Sequence, residues 1–337
     1  MMGLSACSAG APVAESPPAA RSPQQPPAAE PLLTNELTFD EKIVSEGLKR
    51  HVSRLAVQIG ERNGTKSWEL AESSDYVAGE LEALGYPVER QGYELGSVAA
   101  QNLSVTVAGG ARGDELFVVG AHYDSPASAP GFESALSVGA VLELARIMRA
   151  ARVERTLRFV FFALGELPDI VGEARGARQF ARKMAHDARG AAASGLPEAV
   201  QKASEIENFG VMTLASLAAL GNAVGPGARL LVPVSANQSA WKLESILAQA
   251  FHDDVTELSS VPLADRESDA QAFNEQGIPC LEIGQLGSSG LGTQQLSSLS
   301  DQQFNEAAQV VMRIRQALGD LVIERGTNDG TVTPRGS

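Results

Sequence analysis

A histidine and two glutamates stand at the ends of predicted secondary-structure elements, where side chains from separate elements can meet. His122 follows the apolar run Glu115–Ala121, Glu166 follows a second run, Thr156–Leu164, and Glu133 precedes a segment of helical spacing. One imidazole and several carboxylates form a ligand set that can hold zinc or manganese. The chemistry that these residues offer is therefore the binding of a metal ion, which in proteins can activate water.

The elements around these residues predict a strand, a helix and a second strand. Both apolar runs are β-prone, and helical spacing extends from Ser134 to Arg149 between them. In a parallel sheet built from such units, functional groups lie just beyond the carboxyl ends of the strands. His122 and Glu166 occupy those places. We therefore expect a three-layer α/β/α fold with a mixed, mostly parallel central sheet flanked by helices.

Apolar periodicity predicts further elements on both sides of this unit. Helices are predicted at Phe39–Ile59 with Asp40 as its cap, Glu69–Leu84, Glu173–Ala188, Ser239–Phe251 and Asp301–Leu321, strands at Tyr86–Leu95, Asn102–Ala108, Val211–Leu217, Arg229–Val234 and Ile278–Ile283, and an exposed loop at Arg189–Gly195. Cys280 lies in the last of these strands, which predicts a small core residue and not a nucleophile.

Several stretches resemble the zinc aminopeptidases of metallopeptidase family 28, whose relatives include glutaminyl cyclases and receptor-type proteins without peptidase activity. They are the surroundings of His122 and Glu166, together with Ile59–Gly64 (IGERNG), Asp75–Leu95 and Ser268–Ile283. The resemblance covers most of the chain beyond about Leu37 and implies a zinc-exopeptidase fold.

The resemblance also implies which residues would form a two-zinc site. The family uses a histidine, a bridging aspartate, a glutamate, a further acidic residue and a late histidine as ligands, and a second glutamate as general base. His122 matches the first histidine and Asp124 the carboxylate that orients its ring. Glu133 matches the bridging aspartate, and Glu166 the ligand glutamate.

Three positions depart from that pattern. Gly165 stands where the general base belongs, Ala218 stands where the acidic ligand belongs, and no histidine follows His252. The other histidines are His51 and His186. Catalytic zinc usually has three protein ligands and an open position for water, whereas each implied metal keeps only two here. Loss of the base alone removes about a hundredfold to ten-thousandfold in rate.

These departures predict a pseudopeptidase whose zinc is absent or weakly bound, retained outside the cytoplasm as a binding or structural module. The alternative is an active metal-dependent aminopeptidase with atypical ligands. In that case His122, Glu133 and Glu166 would converge on one metal with Asp124 or Asp269 as a fourth oxygen ligand. Glu205 or Glu207 could also replace the ligand lost at position 218. Cyclase-type chemistry ranks last, because those enzymes also use the missing late histidine.

Each candidate residue has a simpler structural interpretation. His122 can be a polar residue at a strand end, hydrogen-bonded to Asp124. Glu133 suits the N-terminus of a helix, where an acidic side chain is favourable. Glu166 can cap a helix or accept backbone amides, although burial without a cation would raise its pKa and cost stability.

Composition limits the classes of partner. The chain has 337 residues, 44% of them apolar, which allows one α/β domain at residues 37–325. A net charge of -14 argues against nucleic acid or an anionic membrane surface as a binding partner. The resemblance to aminopeptidases implies that a peptide N-terminus or a loop of a partner protein could occupy the cleft.

The first residues predict export. Leu4–Cys7 matches the lipobox of bacterial lipoproteins, in which the cysteine is lipidated, and residues 8–36 form an Ala/Pro-rich linker that cannot fold by itself. Met1–Gly3 supplies neither the charged nor the apolar region of an export signal, so either translation starts further upstream or the match is due to chance. We expect an exported protein, attached to the membrane only through Cys7, with a disordered tail at residues 326–337.

Overall fold

The computed structural model describes residues 37–95, 98–166, 175–193, 210–215, 217–222, 230–252, 256–262, 268–284 and 298–322. All of them belong to one compact unit, Asn35–Ser337. The predicted lipobox, linker and tail lie outside the described residues, as do Glu205 and Glu207.

The helices and strands of the described residues alternate along much of the chain. The helices are α1 (Phe39–Val52), α2 (Ser67–Ala83), α3 (Phe132–Met148), α4 (Gly176–Ala193), α5 (Trp241–Phe251), α6 (Asp269–Asn274) and α7 (Asp301–Val322). The strands are β1 (Glu89–Leu95), β2 (Val98–Val107), β3 (Arg112–His122), β4 (Arg155–Phe162), β5 (Gly210–Leu214), β6 (Gly221–Asn222), β7 (Leu230–Ala236), β8 (Thr256–Pro262) and β9 (Cys280–Ile283). Among the described helices, none combines the length and the apolar character needed to cross a lipid bilayer.

The strands form one mixed sheet in the order β1-β2-β4-β3-β5-β9-β7-β6, with β8 beside β7. Its centre is parallel: β3 pairs with β4 and with β5, and β5 pairs with β9. The carboxyl ends of these four strands therefore meet at the same edge of the sheet. The predicted α/β class with a mostly parallel sheet is confirmed.

Alternation of side chains along the strands divides the core between the two faces of the sheet. Phe117 and Val119 pack into the larger cluster, which includes residues of α1, α2, α3, α5 and α7. Val118 points the other way, into a smaller cluster with α4 and α6. Cys280 belongs to this second cluster: it is buried, its thiol donates to the carbonyl oxygen of Ala270 at 3.2 Å, and burial raises its pKa to about 12. The prediction that Cys280 is a core residue is confirmed.

Two local predictions were wrong. Thr38 and not Asp40 caps α1, because Thr38 Oγ1 accepts from the Glu41 amide at 3.2 Å while the Glu41 carboxylate accepts from the Thr38 amide at 2.8 Å. This reciprocal pair satisfies two amides at once. In addition, α4 continues to Ala193, into the stretch predicted as the loop Arg189–Gly195, and its alanines favour the helix.

Candidate active site

The parallel centre of the sheet brings His122 and Glu166 to the same edge. His122 is the last residue of β3 and pairs with Phe162, the last residue of β4. Glu166 follows β4 in a turn that begins at Leu164. Leu164 has a backbone φ of 58°, in the left-handed region that residues other than glycine rarely adopt. Such backbone conformations cost energy and persist only where the surrounding structure holds them.

The imidazole of His122 lies between two carboxylates. Its Nδ1 is 3.0 Å from Oδ2 of Asp269, and its Nε2 is 3.2 Å from Oε1 of Glu166. Asp269 reaches the ring because it is the first residue of α6, whose N-terminus is capped by the Ser268 hydroxyl accepting from the Gln271 amide at 3.1 Å. Both ring nitrogens are thus engaged by side chains of this chain.

These contacts shift the protonation of both partners. Burial by itself lowers the pKa of His122, but the carboxylates of Asp269 and Glu166 outweigh it and raise that pKa well above its usual value. Burial by itself raises the pKa of Glu166, but the His122 ring and the charges of Arg175 and Arg62 bring it below its usual value. The pair is therefore stabilised in its charged form.

Asp124 holds the turn after β4. Its Oδ1 accepts from the amide of Gly165 at 2.7 Å, and its Oδ2 accepts from the amide of Glu166 at 2.9 Å. Burial raises the pKa of Asp124, against the opposing effect of His122 and of these amides. In this arrangement it is Asp269, and not Asp124 as expected, that contacts the imidazole. Both oxygens of Asp124 instead accept from backbone amides.

Glu133 and Ala218 complete the set of residues singled out in the sequence. Glu133 lies in the first turn of α3 and is half-buried. Ala218 lies in a short 3-10 turn after β5, where its carbonyl oxygen accepts from Nε2 of Gln303 at 3.1 Å. Across the described part of the chain, no group of three or more His, Cys, Asp or Glu side chains is disposed to hold a metal ion. The structure thus does not gather His122, Glu133 and Glu166 into one ligand group.

The remaining histidines lie elsewhere. His51 is buried among helices, with Nδ1 2.7 Å from the Tyr76 hydroxyl. His186 is exposed beside Asp187, and His252 is exposed at the end of α5. None of these contacts involves His122.

Arg62 is a residue of the site that charge patterning in the sequence did not indicate. Its side chain is completely buried and donates to the carbonyl oxygens of Tyr123 at 2.7 Å and Gly131 at 3.1 Å and to the Ser134 hydroxyl at 3.0 Å. Burial lowers its pKa to about 10, while Asp124 and Glu166 oppose that shift. Arg62 therefore ties the end of β3 to the start of α3. The one signal in the sequence that could have indicated Arg62 is its position within the IGERNG stretch, which resembles the family.

Comparison with known proteins identifies the family. The sequence profile of Peptidase family M28 matches residues 102–314, more than half of the chain. This chain belongs to peptidase family M28. No curated protein sequence matches it significantly.

Solved structures of similar fold include aminopeptidases and glutaminyl cyclases. BSAP, a zinc aminopeptidase from Bacillus subtilis, aligns with a TM-score of 0.60 at 13% identity over 85% of this chain and 96% of that chain. The glutaminyl cyclase of Macrostomum lignano aligns with a TM-score of 0.59 at 17% identity over 86% of this chain and 95% of that chain. An aminopeptidase from Aneurinibacillus sp. strain AM-1 is 20% identical over 67% of this chain, which spans about half of that protein (48%, TM-score 0.45). At these identities the likeness shows the fold alone.

Around His122, the described side chains of this M28 protein offer few free donors for a metal ion. Both ring nitrogens of His122 face carboxylates, and both oxygens of Asp124 accept backbone amides. Position 218 offers only a methyl group, and position 165 offers no side chain. Nitrogen and oxygen donors that are already engaged would have to be released before they could coordinate a metal ion.

Proposed function

We propose that this M28-family protein is a catalytically inactive pseudopeptidase, retained outside the cytoplasm to bind a peptide or protein or to serve a structural role. The observation that carries the proposal is the state of His122, whose two ring nitrogens are engaged by Asp269 and Glu166 beside a glycine at position 165. A hydrolase of this type needs metal ligands with free lone pairs and a base that accepts a proton from water.

Glu166 is a poor substitute for the missing base. A general base works best when its pKa lies near the working pH, and enzymes commonly raise the pKa of a glutamate for this purpose. The pKa of Glu166 is instead held below its usual value by the His122 ring and by nearby arginines, after the opposing effect of burial. Oε1 of Glu166 also lies 3.2 Å from Nε2 of His122, so Glu166 acts as an ion-pair partner of His122.

Location outside the cytoplasm and the class of partner rest on sequence features. The match of Leu4–Cys7 to a lipobox and the linker at residues 8–36 support export and attachment through lipid. The net charge of -14 favours a peptide or protein as partner over nucleic acid. Labelling with a radioactive fatty acid tests attachment, in wild type and in Cys7→Ser, each expressed behind the same lipoprotein signal peptide. Incorporation in the wild type alone is the expected result.

Metal content tests inactivity. We expect less than about a tenth of an equivalent of zinc in protein purified without chelator, and no saturable uptake on titration with zinc. We also expect aminopeptidase assays on substrates with a panel of N-terminal residues to show no more turnover in the wild type than in Glu166→Gln. Zinc near one equivalent, together with turnover that both His122→Ala and Glu166→Gln abolish, would show that the protein is an enzyme.

One observation keeps an active aminopeptidase with atypical ligands as a second candidate. Oδ1 of Asp269 is buried and has no hydrogen-bond partner within the described residues. A buried carboxylate oxygen without a partner is costly, and a metal ion would satisfy it. On this hypothesis Asp269→Asn and His122→Ala would each remove bound zinc, whereas a pseudopeptidase has none to lose.

A further inference from the structure

The end of β3 and the turn after β4 approach so closely that a side chain at position 165 has no room. A Cβ atom built on Gly165 would lie 2.5 Å from Cγ, 2.6 Å from Cβ and 2.9 Å from Nδ1 of His122. Real Cβ atoms essentially never come within 3.0 Å of a heavy atom to which they are not bonded. The Cβ of His122 is fixed by the backbone of β3, so no rotamer of His122 can relieve that contact.

Hydrogen bonds on both sides hold the two segments in this position. Asp124 lies just beyond β3, and its two oxygens accept hydrogen bonds from the amides of Gly165 and Glu166 at 2.7 and 2.9 Å. The Tyr123 amide donates to the carbonyl oxygen of Phe162 at 2.9 Å, which ties the two strand ends together. On the far side, Asp269 and Glu166 fix the ring of His122. Neither segment can withdraw without breaking buried hydrogen bonds.

We infer that the position of the backbone, and not only the identity of residue 165, excludes the glutamate that serves as general base in the family. The two segments have closed over the space of a side chain at position 165, so any residue larger than glycine there destabilises this chain. A single substitution therefore cannot return the family's glutamate to the site. The inference concerns the same site as the proposed function but does not rest on it, because folding stability and not activity is what tests it.

A graded set of variants measures the closure. Gly165→Ala is introduced into the wild type, into His122→Ala and into His122→Gly, and the Tm of each folded protein is compared with its parent. In the wild type we expect a fall of about 3–8 °C, as for an extra methyl group forced into a close-packed core. His122→Ala removes two of the three close contacts, so the fall should be smaller. In His122→Gly all three are gone, and alanine at 165 should be neutral or slightly stabilising.

Gly79→Ala is the matched control. Gly79 lies inside α2, and a Cβ there meets nothing within 4 Å. This substitution should raise Tm slightly in all three backgrounds, because alanine favours a helix over glycine. If His122→Gly does not fold, the difference between the wild-type and His122→Ala backgrounds still decides the matter. A neutral Gly165→Ala in the wild type, or an equal fall in every background, would overturn the inference.

Discussion

Two histidines of this protein lie beside a glutamate, one fully buried (His51) and one partly exposed (His122), and the contrast between them shows what marks the candidate site. Nε2 of His51 lies 3.4 Å from Oε1 of Glu143, within the layer formed by α1, α2 and α3. Glu143 also accepts from Arg146 at 2.7 Å, so one carboxylate is shared by two basic groups. Both side chains are 2% exposed.

The surroundings of His122 have the opposite balance of charge. One imidazole lies between the carboxylates of Asp269 and Glu166, Asp124 is close by, and the Glu166 side chain is 34% exposed. Arg62 and Arg175 compensate part of this acidic charge, but Oδ1 of Asp269 is buried and has no hydrogen-bond partner within the described residues, which is unfavourable. The His51 group is thus a satisfied structural contact, whereas the His122 group has the acidic, partly open character of a candidate functional site at the carboxyl edge of the sheet.

Restoring the family's glutamate with Gly165→Glu should have the largest effect. It places a side chain against His122 and adds a fourth acidic group, which should lower the free energy of unfolding by at least about 3 kcal/mol. Urea denaturation measures this change, and zinc titration should still show no saturable uptake. Gly79→Glu, on the exposed face of α2, serves as the control and should change stability little. A stable Gly165→Glu protein that binds zinc would contradict the closure of the site.

Neutralising one carboxylate in each region should sharpen the contrast. Glu143→Gln removes the carboxylate that His51 and Arg146 share, and should cost about 2–3 kcal/mol. Asp269→Asn removes one of several carboxylates around His122 and should cost less than about 1 kcal/mol. Paired urea denaturation curves at neutral pH measure both changes. The interpretation fails if Asp269→Asn is the more damaging substitution.

The pH dependence of stability should separate His122 from its surroundings. Its pKa is raised in the folded protein, because the carboxylates of Asp269 and Glu166 outweigh the opposing effect of burial. Such a group contributes stability that is fully present below its unfolded pKa, about 6.5, and is lost as pH rises through the folded pKa. The stability advantage of the wild type over His122→Gln should therefore shrink as pH rises above about 6.5. An advantage that stays constant up to about pH 9 would contradict this.

Gly47→Ala should have the smallest effect, although Gly47 also faces a buried group. Its Cβ would lie 2.2 Å from Oε1 of Glu143, the far end of a side chain, and not against a Cβ as at position 165. Displacement of that carboxylate opposes the gain of about 1 kcal/mol from alanine in a helix. We expect a net change within about 1 kcal/mol by thermal denaturation. A loss as large as that of Gly165→Ala would show that the two glycines are equally constrained.

The sequence predicted the sheet and the placement of its chemistry well. Strands β3 and β4 appear as apolar runs because both faces of their central part are buried, and the rule for carboxyl ends then places His122 and Glu166. The family match located Gly165 beside them.

Other features of the site depend on contacts that leave no local pattern. The pairing of His122 with Asp269 joins residues far apart in the chain, and α6 is too short to give a helical period. Arg62 is satisfied by carbonyl oxygens, so no acidic neighbour in the sequence indicates its burial. The resemblance predicts that Asp124 orients the ring of His122. The glycine at position 165 instead lets the backbone come close enough for two amides to donate to the Asp124 oxygens.

The buried thiol of Cys280 gives the protein a built-in chemical reporter. Because burial raises its pKa to about 12, almost none of it is thiolate at neutral pH, and alkylating reagents react with the thiolate. Its hydrogen bond to Ala270 joins β9 to α6, the helix that carries Asp269. In a Cys7→Ser chain, the rate at which Cys280 is alkylated therefore measures how often β9 and α6 separate, without the need to introduce a further cysteine.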